Sequence, residues 1–495
     1  MKRTSILSLV LVLLVVSVFP VCQAQQPVDI AAIDAYIINH MEENQIPGLA
    51  LSIVHNDEIV YTQGYGVAGP DETPITPQTP FVLGSTSKSF TALAVMQLVE
   101  AGDIELDATV ETYLSWFTMA NPEEAKLITV RHLLTHSSGL SGPVSDKDLV
   151  NPDVSEDALE THIRELADYD LARPAGQSYE YNNVNYDILG LIVQTVSGES
   201  FGEYIEKYVY SPLEMTNSYA SKEEADANGL AVGHTYFFGY PRVSANAPYS
   251  RRKLPSGFLI ASAEDLGHYL IAQLNGGRYE EAQILSPENV ALMQQPSVET
   301  FDKGVSYAFG WRTKLVEGEP HVWHGGDTFS SHSNIVFSPT RGWGVAIVMN
   351  VAGLPQTAAL NEPIHQVFRL SSGFETGQEL DDFATLFNVI WGIAILSVLL
   401  NLVFLRTFRL RVNKGHPLSL VRNLLLPIGT NLLLAYLMFV WFPSSNDSTA
   451  AVMFVFLPDT SLIFLASTLV NVLTVLTRVV LYLRLASHAR SGIHR

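Results

Sequence analysis

Three short strings, in a fixed order, carry the reactive side chains of this chain: Ser85-Thr86-Ser87-Lys88, Tyr181-Asn182-Asn183 and His324-Gly325-Gly326. Together they hold a hydroxyl, an ammonium, a phenol, an amide and an imidazole. That set suits acyl transfer. It supplies a serine nucleophile, two groups able to take its proton, and a glycine-flanked strand edge to hold an acyl substrate. A helix-compatible run follows Ser85, so Ser85 is placed at a helix start with Lys88 on the same face one turn later. The positive end of that helix favours an oxyanion forming at Ser85. A free hydroxyl is a poor nucleophile at neutral pH, so a base must stand beside it. Lys88 serves if burial and a nearby cation depress its pKa. Tyr181 relays the proton if Lys88 lowers its own. Asn183 is placed to orient Lys88 and bind a substrate amide carbonyl. Glycine at 326 is expected to let a substrate backbone approach the strand.

Other strings mimic such chemistry. Ser250-Arg251-Arg252-Lys253 repeats the Ser-x-x-Lys spacing, but Leu254-Pro255-Ser256-Gly257 follows and cannot continue a helix. Ser250 therefore reads as an ordinary loop serine, and the three basic residues as a solvated loop. Gly64-Tyr65-Gly66-Val67-Ala68-Gly69 matches a dinucleotide pattern, yet Pro70 to Pro74 stand where a helix is required. His132 and His136 have zinc-ligand spacing without the adjacent glutamate or a third ligand. No metal and no cofactor are expected.

The elements that must position these groups follow from apolar periodicity. Helices are predicted over Ile30–Met41, Phe90–Glu100 (ended by Gly102), Asn185–Ser197 (ended by Gly198) and Ala263–Leu274 (capped by Ser262). Leu49–Val54 and Glu58–Gly64 read as a hairpin turning at Asn56-Asp57, and Ser333–Ser338 and Gly344–Asn350 as strands. Strands near both ends with helices between predict an α+β fold: one antiparallel sheet flanked by helices, with a helical subdomain.

Charge and hydropathy divide the chain. Residues 1–24 have a basic start, an apolar run and a small residue at Ala24, as a signal peptide has. Cys22, the single cysteine, leaves with it, so the mature protein is expected to have no disulfide. Residues 383–405, 424–442 and 461–483 are apolar runs of spanning length, read as three transmembrane helices. Arg406, Arg409, Arg411, Lys414 and Arg422 follow the first run, and Arg484, Arg490 and Arg495 follow the third. Positive loops stay inside, so the C-terminus is predicted cytoplasmic and residues 25–382 extracytoplasmic. That outer domain holds 48 acidic and 18 basic residues, a balance of −30. Such a surface repels nucleic acid. The expected partners are an acyl substrate and the bilayer; oligomeric state is not legible.

Phe81 to Thr91, Leu133 to Leu140, Tyr181 to Gly190, Pro212 to Met215 and His324 to Asp327 together resemble the serine β-lactamase/penicillin-binding protein family, in its class C β-lactamase and D-amino-acid peptidase branch. The three-run anchor is similar to that of the colibactin-maturing prodrug peptidase. The resemblance covers most of residues 28–352. It implies that Ser85 is acylated, that Lys88 and Tyr181 share general acid/base work, and that Asn183 and the His324–Gly326 edge bind substrate. It also implies an oxyanion hole made by the backbone N–H groups of Ser85 and Asp327. Many lactamases carry Lys where this chain has His324, and a neutral imidazole holds a carboxylate less firmly. The implied activity is that of a membrane-anchored serine hydrolase of the bacterial inner membrane acting on D-amino-acid-containing peptides. A prodrug peptidase or esterase of the same fold is the alternative. A slow-acylating penicillin-binding receptor is the alternative of another class, and the short tail after Leu483 leaves it no output domain.

Overall fold

A computed structural model describes residues 28–140, 151–244, 247–376, 383–413, 426–441 and 457–491. The expected signal peptide lies outside these residues. The strands of the main sheet are numbered in chain order: β1 Gly48–His55, β2 Glu58–Gly66, β3 Val298–Glu299, β4 Ser306–Tyr307, β5 Arg312–Val316, β6 Glu319–Asp327, β7 His332–Ser338 and β8 Trp343–Met349. They form one antiparallel sheet in the order β2-β1-β8-β7-β6-β5-β4-β3. The N-terminal hairpin thus lies beside the last strand, with Leu49 opposite Met349 and His55 opposite Trp343.

Side-chain alternation sorts the two faces. Leu49, Leu51, Ile53, Val345 and Ile347 point into a core with helices α1 (Ile30–Asn44) and α5 (Thr357–Ser372). Ala50, Val54, Ala346 and Val348 point the other way, into the larger core. There they meet α4 (Ala263–Leu274), N-capped by Ser262 as predicted. Behind α4 lie α2 (Ser87–Ala101) and α3 (Asn183–Ser197). Helix α2 has 11 of its 15 residues buried, so it is a central post instead of a surface helix. Gly102 ends it with φ +83°, which favours glycine.

After α5 run α6 (Phe383–Asn413), α7 (Leu426–Tyr436) and α8 (Pro458–Ser491). Among the described residues two helical stretches, Phe383–Arg411 and Pro458–Arg484, are long and apolar enough to cross a membrane. This corrects the expectation of three. The middle run has eleven α-helical residues, then a π-helical turn at Leu437–Trp441. At 1.5 Å per residue that described length falls short of a hydrocarbon core of about 30 Å. Asn401 of α6 donates to Asn431 of α7 and Asn471 of α8, tying the three together.

Candidate active site

The distant strings converge. Ser85 sits in the 3-10 turn Gly84–Thr86 that leads directly into α2. Gly84 takes φ +58°, and a Cβ there would stand 2.6 Å from the backbone N of Asp327. A Cβ on Gly326 would lie 2.7 Å from the backbone N of Ser85 and collide with the Leu83 carbonyl. The two glycines therefore let the nucleophile turn press against the end of β6, with the backbone of Ser85 beside that of Gly326 and Asp327. Gly326 thus has a second reason to be glycine, besides the substrate approach expected of it: the protein's own turn fills the space a Cβ would take. Thr86 and Ser333 of β7 both donate to the Leu83 carbonyl and pin the turn further.

Lys88 is fully buried one turn into α2. Its Nζ donates to Ser85 Oγ at 3.0 Å, Asn183 Oδ1 at 2.7 Å and the Ser256 carbonyl at 2.7 Å, which uses all three N–H bonds. Burial, helped by the Lys253 cation and opposed by Asp187, lowers its pKa to about 7. The nearby cation that the sequence demanded is thus Lys253, in the segment read as a solvated loop. That reading is corrected. Arg252 and Lys253 are 5% and 1% exposed, because Arg252 pairs with Glu165 and Asp153 and Lys253 with Asp187. The following residues, Leu254–Phe258, form a π-helical turn whose Pro255 and Ser256 carbonyls accept from Thr91 and Lys88 of α2.

Tyr181 lies just ahead of α3, hydrogen-bonded to Ser85 and with its ring centroid 4.8 Å from Lys88 Nζ. Burial raises its pKa well above the ordinary phenol value, so the condition that Lys88 lowers it is not met. Desolvation of the phenolate outweighs the bond from Ser85, so Tyr181 is a neutral phenol at working pH. Asn182 N-caps α3, and its backbone N–H donates to His136 Nδ1 at 3.2 Å. His136 also accepts from Asn185 and stacks 4.4 Å from Tyr181. It is a buried brace of the Tyr181 turn that spacing alone did not reveal.

His324 is 2% exposed and stands beneath Tyr181, ring centroids 6.3 Å apart. Its Nδ1 donates to the Gly325 carbonyl at 2.7 Å, which leaves Nε2 to accept from Tyr307 at 3.0 Å. Burial, with Lys88 and Arg312 nearby, lowers its pKa to about 3, so it is neutral. Both of its nitrogens are engaged within the protein. The cleft itself is lined by Ser85, Asn183, Lys253, Phe258, Asp327 and Phe329, among others. A larger groove, about 1130 Å³, is glutamate-lined and holds none of these groups. Chemistry, not volume, picks out the site.

Comparison with known proteins agrees with this geometry. The family model described as Beta-lactamase matches residues 33–367. Protein flp of Staphylococcus aureus is 27% identical over 378 residues, 75% of this chain and 73% of its own length. Penicillin-binding protein 4 of Amycolatopsis lactamdurans is 27% identical over 321 residues, 62% of this chain and 82% of its own. The octameric penicillin-binding protein homologue from Pyrococcus abyssi superposes with a TM-score of 0.61 at 29% identity, covering 74% of this chain and 81% of that one.

Proposed function

Because this chain belongs to the beta-lactamase family of serine hydrolases, we propose that it cleaves an amide or ester through an acyl-Ser85 intermediate. The observation that carries this reading is Lys88 Nζ, 3.0 Å from Ser85 Oγ, as an amine half-deprotonated near pH 7. Lys88 takes the Ser85 proton as Oγ attacks the carbonyl carbon. The oxyanion faces the backbone N–H groups of Ser85 and Asp327. As the tetrahedral intermediate collapses, the leaving amine or alkoxide receives that proton, handed on through the neutral phenol of Tyr181. Water then attacks the acyl ester with Lys88 again as base. Asn183 spends its Oδ1 on Lys88, which leaves its N–H bonds for a substrate carbonyl.

The favoured substrate is a D-amino-acid-containing peptide such as cell-wall stem peptide. The engaged imidazole of His324 favours the second reading, a prodrug peptidase or esterase acting on a less charged acyl group.

The test is the pH dependence of turnover on D-aminoacyl amides, esters and cephalosporins. A group lowered to about 7 works as a base only above that value. The rate is therefore expected to rise about tenfold per unit below pH 7 and flatten above it. His324 adds no limb above pH 5, and Tyr181 adds no falling limb below pH 10. An acidic limb near 4 would point to a carboxylate base and discard this mechanism. A single acylation without turnover on every substrate would favour the receptor.

The two long apolar helices support a membrane anchor, with the catalytic domain outside and the basic stretch from Arg406 to Arg422, which follows the first of them, within. Protease added to intact spheroplasts is expected to degrade the catalytic portion. Full protection there would reverse the orientation.

A further inference from the structure

Behind Lys88 lies a second ionisable set that the reaction above leaves unused. Lys253 Nζ donates to Asp187 Oδ2 at 3.0 Å and lies 3.0 Å from His162 Nε2, which is itself 3.3 Å from the same carboxylate oxygen. The three come from separate elements: the helix Ala158–Arg164, the first turns of α3, and the turn Arg251–Lys253. None is more than 1% exposed. Burying an ion pair sacrifices hydration and is weak evidence for a stabilising role, so its placement calls for another explanation.

The placement is specific. Lys253 lines the cleft with Ser85 and Asn183, and the next residues form the turn whose Ser256 carbonyl accepts from Lys88. Asp187 lies one helical turn after Asn183, which also accepts from Lys88. Among the described residues, the remaining titratable groups facing Lys88 are uncharged. His136 and His324 are held neutral by burial, and Tyr181 and Tyr186, their rings 4.8 and 5.8 Å from Nζ, are held as phenols. Lys253 and Asp187 are thus the charges that act on Lys88, with opposite sign.

We propose that Lys253, Asp187 and His162 are positioning residues: they hold a balanced charge pair behind Lys88 and anchor the turn that grips it, so that the amine is free when substrate arrives. The inference rests on the acyl-Ser85 reading and names the residues that tune it.

The test uses full-length protein in detergent or nanodiscs and the rate of Ser85 labelling by a fluorophosphonate, a probe with no titration of its own in this range. Asp187→Asn removes the negative charge and is expected to move the acidic limb down by roughly one pH unit. Lys253→Met leaves the carboxylate unopposed and is expected to move it up by roughly one unit. Thermal melts check folding. If Lys253→Met does not fold, Lys253→Gln replaces it, keeping a donor for Asp187 and His162. Limbs that stay within 0.3 unit of wild type, taken here as roughly the resolution of such profiles, or that move the same way in both variants, overturn the proposal. Failure to label Ser85 in wild type at any pH sinks the hydrolase reading instead.

Discussion

Ser85→Ala is expected to lose labelling by fluorophosphonate or penicillin, by roughly 10⁴-fold or more, while Ser250→Ala labels as wild type does. Both serines begin a Ser-x-x-Lys string, and the folded surroundings separate them. Ser85 Oγ meets an amine at 3.0 Å and a phenol, at a turn pressed onto the end of β6. Ser250 Oγ donates to the Asp153 carbonyl at 3.0 Å and accepts from the Arg252 N–H at 3.3 Å, so it caps a turn and has no base. Losing that cap costs about 1 kcal/mol of stability and leaves the chemistry alone. Intact-mass analysis of each variant reads the result directly. A labelled Ser85→Ala protein with an unlabelled Ser250→Ala protein would discard the site assignment.

Lys88→Met is expected to slow acylation by roughly 10³-fold, the scale of a positioned general base. Methionine keeps an unbranched apolar stem one atom shorter and removes the amine. It also strips the Asn183 Oδ1 and Ser256 carbonyl of a donor in a closed site, at about 1–3 kcal/mol for each buried group left unpaired. Melting temperature measured beside the labelling rate separates the two losses. The pH profile makes the variant diagnostic. With Lys88 gone, the limb near 7 disappears and no rate returns up to pH 10, because Tyr181 is held far above its ordinary pKa. A near-wild-type rate would instead make Tyr181 the base.

The local features were legible in the sequence. The Asn56-Asp57 hairpin, the helix ends at Gly102 and Gly198, and the Ser262 cap depend on neighbours a few residues away, and the structure has them all. So was the convergence of the three strings around Ser85, through their order and the family resemblance. What escaped depends on contacts between distant segments. Lys253 was read as solvated because nothing near it in the chain announces Asp187 or His162 as buried partners. His136 was weighed as a zinc ligand and turned out to brace the Tyr181 turn. The sequence leaves open whether Lys88 lowers the Tyr181 pKa, and only the folded enclosure of the ring, which raises it, decides that condition. Nor does the sequence announce that the Leu83–Ser85 backbone fills the space a Cβ on Gly326 would take.

The pairing of β1 with β8 has a consequence for how the protein is made. Leu49 waits for Met349, a partner about 300 residues later. At roughly 5–20 residues per second, synthesis leaves the first hairpin without its neighbour for on the order of 15 to 60 s. The nucleophile turn waits too, since Gly84 seats against Asp327. A nascent chain complete only as far as α4 already carries Ser85 but lacks the β6 edge that seats its turn, so the assembled site arrives late, only once the last strands of the sheet have been made.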